Sequence, residues 1–319
     1  MKVLKVLRNI FLSLLGIILL FIVYIQFGYN VTYDIPFPEV EVSTDSTVLA
    51  RGEYLVRGPA HCDGCHTNVE RIEDLQAGVK LPLTGGRLFE MPFAKIYASN
   101  ITPDDETGIG RRTDAELART LKYSVDADGH SILPLMPYTN MNDDDIAAII
   151  SYLRSQEPRR NEVSKSTYNL MGKVVKRFFL KPTKEDPTIA KNVDPENTLA
   201  YGRYLSLSVA NCVGCHTSFD MQTMTYDGPH FSGGLEMPEK IHVFSTPNLT
   251  PDTKTGHMAN WTETQFVQRF RAGRVYEDSP MPWESYAKMS DKDLKAIYQL
   301  LMSLDPVEND VGIVAQLKQ

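Results

Sequence analysis

The amino-terminal end of the chain contains its longest apolar run. No charged side chain occurs between Asn9 and Tyr33, and the centre of this stretch, Ile10 to Phe27, is almost entirely apolar. A helix of about 20 apolar residues crosses the hydrocarbon layer of a bilayer. The pattern therefore predicts an N-terminal membrane anchor over residues 1–33.

The charges that flank this anchor predict its orientation. Lys2, Lys5 and Arg8 precede it and the next basic residue is Arg51, so the positive-inside rule leaves the N-terminus in the cytoplasm and the rest of the chain outside. A cleaved signal peptide is the alternative, but its apolar core would be shorter and would end in small residues. The sequence after Ile25 reads Gln-Phe-Gly-Tyr-Asn, which favours a retained anchor.

Beyond the anchor and a stalk (34–45), polar caps followed by apolar positions at helical spacing predict helices. Thr113-Asp114-Ala115-Glu116 is a capping-box pattern, and Thr262-Glu263-Thr264-Gln265 is its counterpart later in the chain. Further helix N-caps are expected at Ser46 or Thr47, at Asn142, at Asn197 or Thr198, and at Ser290. The loops between these helices are rich in Gly and Pro, so the fold class is predicted to be mainly α.

The helical pattern occurs twice, because the two halves of the chain match over their whole length. The matching segments are 51–55 with 201–205, 85–86 with 233–234, 100–104 with 248–252, 107–108 with 255–256, Met136-Pro137-Tyr138 with Met281-Pro282-Trp283, and 145–150 with 293–298. The unit is longer than a solenoid repeat. We therefore predict one small domain in two copies (46–157 and 196–306), with a linker (158–195) and a C-terminal tail (307–319).

The linker between the copies is basic and has an apolar face formed by Val174, Val175, Phe178 and Phe179. A basic amphipathic helix can lie on an anionic membrane surface. The interpretation preferred from the sequence is simpler: the apolar side chains pack against one of the two domains. The whole chain has a net charge of −7, so nucleic acid is not an expected partner.

Each copy contains one Cys-x-x-Cys-His box. The boxes are Cys62-Asp63-Gly64-Cys65-His66 and Cys212-Val213-Gly214-Cys215-His216, and they contain all 4 cysteines of the chain. This box is the attachment signature of a c-type haem: the thiols add to the vinyl groups and the histidine binds the iron. We therefore predict two covalently bound haems, with His66 and His216 as proximal ligands.

Three other interpretations of the boxes are weaker. A thioredoxin-like redox motif would occur once, near a βαβ pattern, and needs no histidine in each copy. A zinc ribbon would have its second cysteine pair much closer in sequence. A disulfide within the box would close a small strained loop.

The second axial ligand of each iron should come from a residue that recurs in both copies. Met136 and Met281 recur between or beside prolines, just before the last helix of each copy, and a thioether ligand raises the reduction potential. Met91 and Met237 are the weaker pair. Histidine ligation is disfavoured because the remaining histidines do not align between the copies; they are His61, His130, His230, His242 and His257.

Another recurring signal is the Asn-x-Thr pattern at Asn100 and Asn248, which matches a glycosylation sequon. Its recurrence at one place in each copy favours a turn instead. No glycine-rich nucleotide loop, serine-hydrolase elbow or zinc-protease motif is present, so no second cofactor is predicted.

Taken together, these motifs resemble a known family. The run Gly85-Gly86, Pro92–Tyr97, Asn100–Asp104, Thr107–Gly110 and Met136–Tyr138 is similar to the class I c-type cytochrome domains found in membrane-bound cytochrome c subunits of periplasmic alcohol, aldehyde and gluconate dehydrogenases. The resemblance extends over about residues 46–306. It implies two tandem cytochrome c-like domains with haem-binding Cys62, Cys65, Cys212 and Cys215, proximal His66 and His216, and distal Met136 and Met281.

The resemblance also implies a function. The chain would be a single-pass protein of the bacterial inner membrane with its haem domains in the periplasm, and would carry electrons from a dehydrogenase to quinone, another cytochrome or an oxidase. A self-contained enzyme, a di-haem peroxidase, is the alternative, and two matching methionines argue against it. The chain departs from the family in having two haem boxes where three are typical and an anchor at the N-terminus, with Ala94 and Arg112 in place of the usual Gly and Trp.

Overall fold

The computed structural model of the chain describes residues 2–67, 72–220 and 225–318. The first residue of the predicted anchor and the last residue of the predicted tail lie outside these ranges. Helices are the main regular structure, at about 39% of residues, in agreement with the sequence. Within the described ranges the α-helices are α1 Lys2–Gly28, α2 Ser46–Arg57, α3 Cys62–His66, α4 Ile72–Gln76, α5 Asp114–Tyr123, α6 Asp143–Arg154, α7 Leu170–Phe178, α8 Thr198–Tyr204, α9 Cys212–Cys215, α10 Glu263–Arg271, α11 Trp283–Tyr286 and α12 Asp291–Met302. Helix α8 continues directly into a π-helical segment, Leu205–Val209.

Helix α1 coincides with the predicted anchor. Its most apolar 18-residue window has a mean hydropathy of 2.7 and is only 6% buried. Its 27 residues extend over about 40 Å at 1.5 Å per residue. By length and composition it can cross a membrane, and a signal sequence would meet the same criteria.

Most of the predicted helix starts are present. Thr113 and Thr262 each form a complete capping box, and Asn142, Asn197 and Ser290 cap their helices through their side chains. The expectation for α2 was wrong by one residue: its N-cap is Asp45, whose carboxylate accepts from the backbone N–H groups of Thr47 and Val48. A carboxylate at this position also interacts favourably with the helix dipole.

The same helix crossing occurs in both halves: α2 packs on α6, and α8 packs on α12. A Cβ atom added to Gly52 would lie 2.0 Å from the carbonyl oxygen of Ala148, and one added to Gly202 would lie 2.0 Å from that of Ala296. Only glycine permits so close an approach of two backbones. The crossings belong to one hydrophobic core that contains residues of both halves.

The sequence did not predict the short strands. In the part of the chain that the structure describes, they form three antiparallel sheets, β1-β2-β3, β4-β5 and β6-β7-β8. The bounds are β1 Leu88–Met91, β2 Ala94–Tyr97, β3 Thr167–Tyr168, β4 Phe219–Asp220, β5 Thr225–Tyr226, β6 Glu236–Pro238, β7 His242–Ser245 and β8 Ala315–Leu317. In each half, a hairpin is completed by a strand that follows the last helix, in the predicted linker (β3) and the predicted tail (β8).

Asp278 holds the start of β7. Its carboxylate accepts from the backbone N–H groups of Ile241 (2.6 Å) and His242 (2.8 Å) and contacts Nδ1 of His242 at 2.7 Å. Burial alone would raise the pKa of Asp278, but these hydrogen bonds outweigh burial and lower the pKa from 3.8 to about 2.

Matching hydrogen bonds join the two halves. The hydroxyl of Tyr54 donates to Asp293 Oδ2 at 2.6 Å and accepts from the backbone N–H of Ser290 at 2.9 Å. The hydroxyl of Tyr204 donates to Asp145 Oδ2 at 2.7 Å and accepts from the backbone N–H of Asn142 at 3.2 Å. Each tyrosine therefore binds the cap and first turn of the last helix in the opposite half. We call these contacts the reciprocal tyrosine contacts.

Tyr33, the last residue of the predicted anchor, and the predicted stalk lie against the first half. The backbone N–H of Tyr33 donates to the carbonyl of Gly129 at 2.8 Å. The backbone N–H of Ser43 donates to Ser151 Oγ at 2.9 Å, and the guanidinium of Arg119 lies 4.2 Å from the ring centre of Phe37. These contacts fix the anchor relative to the rest of the protein.

The structure contradicts the preferred interpretation of the basic linker for its two phenylalanines. The ring of Phe178 stacks on Phe21 of the anchor at a centroid distance of 6.5 Å, and Phe179 is 63% exposed. These side chains of α7 and its C-cap do not pack into the core of either half, because α7 lies beside α1.

Candidate functional site

Each predicted haem box forms a short helical turn, α3 or α9. The residue before the first cysteine has a left-handed backbone in both halves, with φ of 40° at His61 and 48° at Asn211. Two cysteines three residues apart lie on one face of a helical turn. All four thiols are free, and the two thiols of each box are therefore presented together.

The two box histidines are held in the same way. Nδ1 of His66 lies 2.7 Å from the carbonyl oxygen of Ser99, and Nδ1 of His216 lies 3.2 Å from that of Pro247. Since a carbonyl can only accept, Nδ1 carries the proton in each ring, and Nε2 of the neutral imidazole keeps its lone pair. This tautomer is the one that a metal-binding histidine needs when it coordinates through Nε2.

Burial favours the neutral forms of the cysteines and histidines in both boxes. It lowers the pKa of His66 against the opposing effect of the Ser99 hydrogen bond, and lowers that of His216 to about 4. Burial also raises the pKa of Cys62 and of Cys212 to about 12. The imidazoles are therefore neutral at neutral pH, with the single proton on Nδ1, and these two thiols retain their protons.

A glycine allows the histidine and its carbonyl partner to come together. The backbone N–H of Gly85 donates to the carbonyl of His66 at 2.8 Å, and that of Gly233 donates to the carbonyl of His216 at 2.9 Å. Gly85 has φ of 72°, and a Cβ there would lie 2.4 Å from the carbonyl of Ser99. Both the left-handed backbone and the close approach require glycine.

The repeated Asn-x-Thr segments are turns, as their recurrence suggested. Asn100 is 2% exposed and Asn248 is fully buried, so neither amide is open to glycosylation. Each Oδ1 accepts from the backbone and side chain of the threonine two residues later. Each Nδ2 donates to a backbone carbonyl after the last helix of its half, that of Arg159 or Val307.

A buried tyrosine binds the backbone just before each box. The hydroxyl of Tyr138 donates to the carbonyl of Ala60, and that of Tyr286 donates to the carbonyl of Ala210 at 2.6 Å. In each half, the acceptor lies two residues before the first cysteine. Burial raises the pKa of both tyrosines well above its usual value, so each hydroxyl remains a donor.

The sequence comparison of the halves missed Tyr286, because it paired Tyr138 with Trp283. The hydrogen bonds identify Tyr286 as the counterpart of Tyr138. The available signal was the distance to the next helix cap: Tyr138 precedes Asn142 by four residues, and Tyr286 precedes Ser290 by four. The one-turn helix α11 between Met281 and Tyr286 hid this correspondence.

The structure separates the two candidate methionine pairs. Met136 and Met281 are partly buried and pack against the same hydrophobic core as Cys62 and Cys212. Met91 and Met237 lie on the hairpin strands β1 and β6, paired with Ala94 and Phe244. This placement favours Met136 and Met281 as distal ligands, which remain a prediction.

The first box also contacts the second half directly. Asp63 is fully buried and accepts from Ser285 Oγ at 2.8 Å and from Lys288 Nζ at 3.2 Å. The ring of His61 meets the ring of Tyr286 edge-on at 5.5 Å. Because Tyr286 also binds Ala210 beside the second box, one side chain contacts the surroundings of both boxes.

These residues fit a c-type haem in each half. The donor set consists of two protonated thiols on one helical turn, a neutral imidazole with Nε2 available, and a thioether from the loop before the last helix. Thioether bonds require free thiols, and an iron with histidine and methionine ligands requires these two side chains. The arrangement occurs twice with the same supporting hydrogen bonds.

Comparison with known proteins agrees with this chemistry. The chain is 29% identical over 290 residues to "Alcohol dehydrogenase (quinone), cytochrome c subunit" of Komagataeibacter europaeus, covering 84% of this chain and 58% of that protein. It is 29% identical over 280 residues to "Gluconate 2-dehydrogenase cytochrome c subunit" of Pantoea cypripedii, covering 82% and 60%. It is 24% identical over 257 residues to "Diheme cytochrome c-type" of Cereibacter sphaeroides, covering 77% and 83%.

The comparisons confirm the predicted resemblance to cytochrome c subunits of dehydrogenases. The chain spans less than two thirds of the length of the two dehydrogenase subunits. No family model matches it. Neither the structure nor the names of these relatives add support to the peroxidase alternative.

Proposed function

We propose that this protein is a membrane-anchored di-haem cytochrome c that transfers electrons from a dehydrogenase to the respiratory chain. The observation that carries the proposal is the duplicated box geometry: in each half, a histidine (buried at His66, partly buried at His216) is fixed through Nδ1, so that Nε2 is free beside two unpaired thiols. The relatives, which are named as cytochrome c subunits of dehydrogenases, support the same conclusion.

In this proposal each half holds one haem c. Cys62 and Cys65 bind the first haem, with His66 and Met136 as axial ligands; Cys212 and Cys215 bind the second, with His216 and Met281. The bound haem supplies a one-electron centre. The protein sets its reduction potential through the axial ligands, through burial and through hydrogen bonds to the proximal histidine.

The contacts between the halves suit electron exchange between two such centres. His61 precedes the first box and touches Tyr286, whose hydroxyl binds Ala210 just before the second box. Fully buried Asp63 adds its bonds to Ser285 and Lys288. These contacts hold the box regions at a fixed separation, so that little reorganisation accompanies transfer of an electron.

The setting proposed for this reaction is the periplasmic face of the bacterial inner membrane. Helix α1 would be retained as a single-pass anchor, with both haem domains outside. The donor would be a dehydrogenase subunit, and the acceptor a quinone, another cytochrome or an oxidase. Substrate oxidation would belong to the dehydrogenase partner.

Expression in a host with cytochrome c maturation tests the proposal. The purified chain should weigh its polypeptide plus two haems, with a c-type pyridine haemochrome spectrum and no peroxide turnover. Replacing Cys212 and Cys215 together by serine should remove one haem, and replacing Cys62 and Cys65 should remove the other. A chain that carries no covalent haem would refute the proposal.

A further inference from the structure

We propose that α7 is a membrane-surface helix, whose basic side chains bind anionic phospholipid headgroups at the outer end of the anchor. The inference rests on the proposed insertion of α1 in a bilayer and adds a second, peripheral lipid contact to it. The surface in question, called here the α7 surface, consists of Leu170, Met171, Lys173, Lys176, Arg177, Phe178, Phe179 and Lys181.

The α7 surface lies directly against the anchor. The ring of Phe178 stacks on Phe21, Lys173 Nζ donates to Gln26 Oε1 at 2.8 Å, and Arg177 donates to the hydroxyl of Tyr24 through Nε (3.0 Å) and Nη2 (2.5 Å). A bilayer that surrounds α1 must therefore meet this surface as well.

The position of these contacts along α1 matches the depth of an interfacial helix. The apolar run of the anchor ends at Phe27. Phe21 precedes Phe27 by six residues, which places it about 9 Å deeper along the helix axis at 1.5 Å per residue. Interfacial amphipathic helices bury their apolar face by about 5–10 Å. Phe178, stacked on Phe21, would reach this depth.

Three tyrosines at the outer end of the anchor mark the expected headgroup level. The cations of the α7 surface gather around them: Arg177 lies over Tyr24, Lys173 and Lys176 over Tyr29, and Lys181 over Tyr33. Long basic side chains at this level place their charges in the headgroup region while their stems cover apolar surface.

The apolar side chains of the α7 surface are open. Met171 and Phe179 are each 63% exposed, while Leu170 and Phe178 are 46% and 45% exposed. The opposite side of the helix is fixed: a Cβ on Gly172 would lie 2.2 Å from the carbonyl of Phe93. The helix therefore cannot turn these side chains inward without losing its contact with the first half.

Charge complementarity identifies an anionic partner. Among the residues that the structure describes, none of Lys173, Lys176, Arg177 and Lys181 forms an ion pair with a carboxylate, although the chain carries a net charge of −7. Four cations without an ion-pair partner, beside exposed apolar side chains, are the composition expected for contact with anionic lipid.

Hydrogen–deuterium exchange of the full-length holoprotein in nanodiscs tests this inference. One nanodisc contains phosphatidylcholine alone, and the other contains phosphatidylcholine and phosphatidylglycerol in equal parts. We expect the amides of residues 170–181 to exchange more slowly in the anionic lipid. One basic side chain that gains a headgroup should slow exchange by about fivefold, and more than one should slow it further. Equal exchange in the two lipids would overturn the inference.

Two sets of variants sharpen the test. The substitutions K173E, K176E, R177E and K181E together should abolish the difference between the lipids, and M171S with F179S should speed exchange in both. The matched control reverses four exposed lysines of the second half (K240E, K254E, K292E and K295E) and should keep the difference. Exchange of α2 and α6 reports whether each variant is folded; if the first set unfolds, the wild-type comparison decides.

The remaining outcomes separate this inference from the proposed function. Protection of residues 10–27 without lipid-dependent protection of α7 would leave the anchor in place and refute the surface contact. Loss of both would refute the anchoring and this inference together, while the haem content would still test the cytochrome. Protection of α7 that appears only when a dehydrogenase subunit is added would also overturn the inference, because a protein would then be the occupant.

Discussion

The reciprocal tyrosine contacts lead to an unequal pair of mutational effects. Asp145 has a second partner, since Arg51 binds both of its oxygens at 2.8 and 2.9 Å. Asp293 is 4% exposed and receives Tyr54 as its side-chain donor. The position that corresponds to Arg51 in the second half is Tyr201, which brings no positive charge.

Removing each tyrosine hydroxyl should therefore cost different amounts. A buried acceptor that loses its partner costs about 1–3 kcal/mol, with charged acceptors at the upper end. We expect Tyr54→Phe to lower the free energy of unfolding by about 3 kcal/mol, because the Asp293 carboxylate is left without this donor. Tyr204→Phe should cost only about 1 kcal/mol, because Arg51 continues to compensate Asp145.

Urea denaturation of the full-length protein in detergent, followed by circular dichroism in the helical region, measures both values. Tyr226→Phe is the matched control, since this tyrosine is 41% exposed, and it should change the free energy of unfolding by less than about 0.5 kcal/mol. Equal costs for the two substitutions, or a larger cost for Tyr204→Phe, would refute the reasoning.

Three further predictions concern the ligands, the pH dependence and the helix crossings. Met281→Ala should leave the haem attached but lower the potential of that centre by a tenth or more of the roughly 0.8 V range set by axial ligands, whereas Met171→Ala should not; a redox titration distinguishes them. Asp278→Asn should destabilise the protein at pH 7, because the ionised carboxylate stabilises the fold at pH values above its unfolded-state pKa. This stabilisation is lost as Asp278 is protonated, so the free energies of unfolding of variant and wild type, measured by urea titration, should converge as the pH falls from about 4 towards 2. Gly202→Ala should cost about 1–3 kcal/mol through overpacking, measured by the same denaturation, while Gly16→Ala, with nothing within 4 Å, should cost nothing comparable.

Local signals in the sequence predicted much of the helical structure. The two capping boxes and the caps at Asn142 and Ser290 could be located because a cap bonds to residues only three positions away. The long apolar helix α1 was equally visible, since its pattern needs no partner. Even the error at the start of α2 was small, because Asp45 stands next to the expected cap.

Contacts between distant segments could not be predicted in the same way. The third strand of each three-stranded sheet comes from a segment after the last helix of its half, and its two or three residues have no periodicity that would indicate a strand. Tyr54 reaches a residue 239 positions away. The recurrence of Tyr54 and Tyr204 within matching segments was visible, but the sequence did not indicate that each would bind the opposite half.

The candidate site could be predicted only in part, because it combines a local motif with contacts from distant segments. The box thiols and histidines follow from a local motif, whereas the carbonyls that fix the histidine tautomer belong to loops more than thirty residues away. The tyrosine that supports the second box was misplaced because α11 changes the spacing after Met281.

The reciprocity of the tyrosine contacts has a consequence for how the halves associate. Each half offers the same patch and receives the same patch, as in an isologous interface between two subunits related by a twofold axis. Covalent linkage turns that encounter into an intramolecular one with a high effective concentration. The pairing of the two halves is thus insensitive to dilution, whereas separate units of one half each that met through this patch would part as their concentration fell.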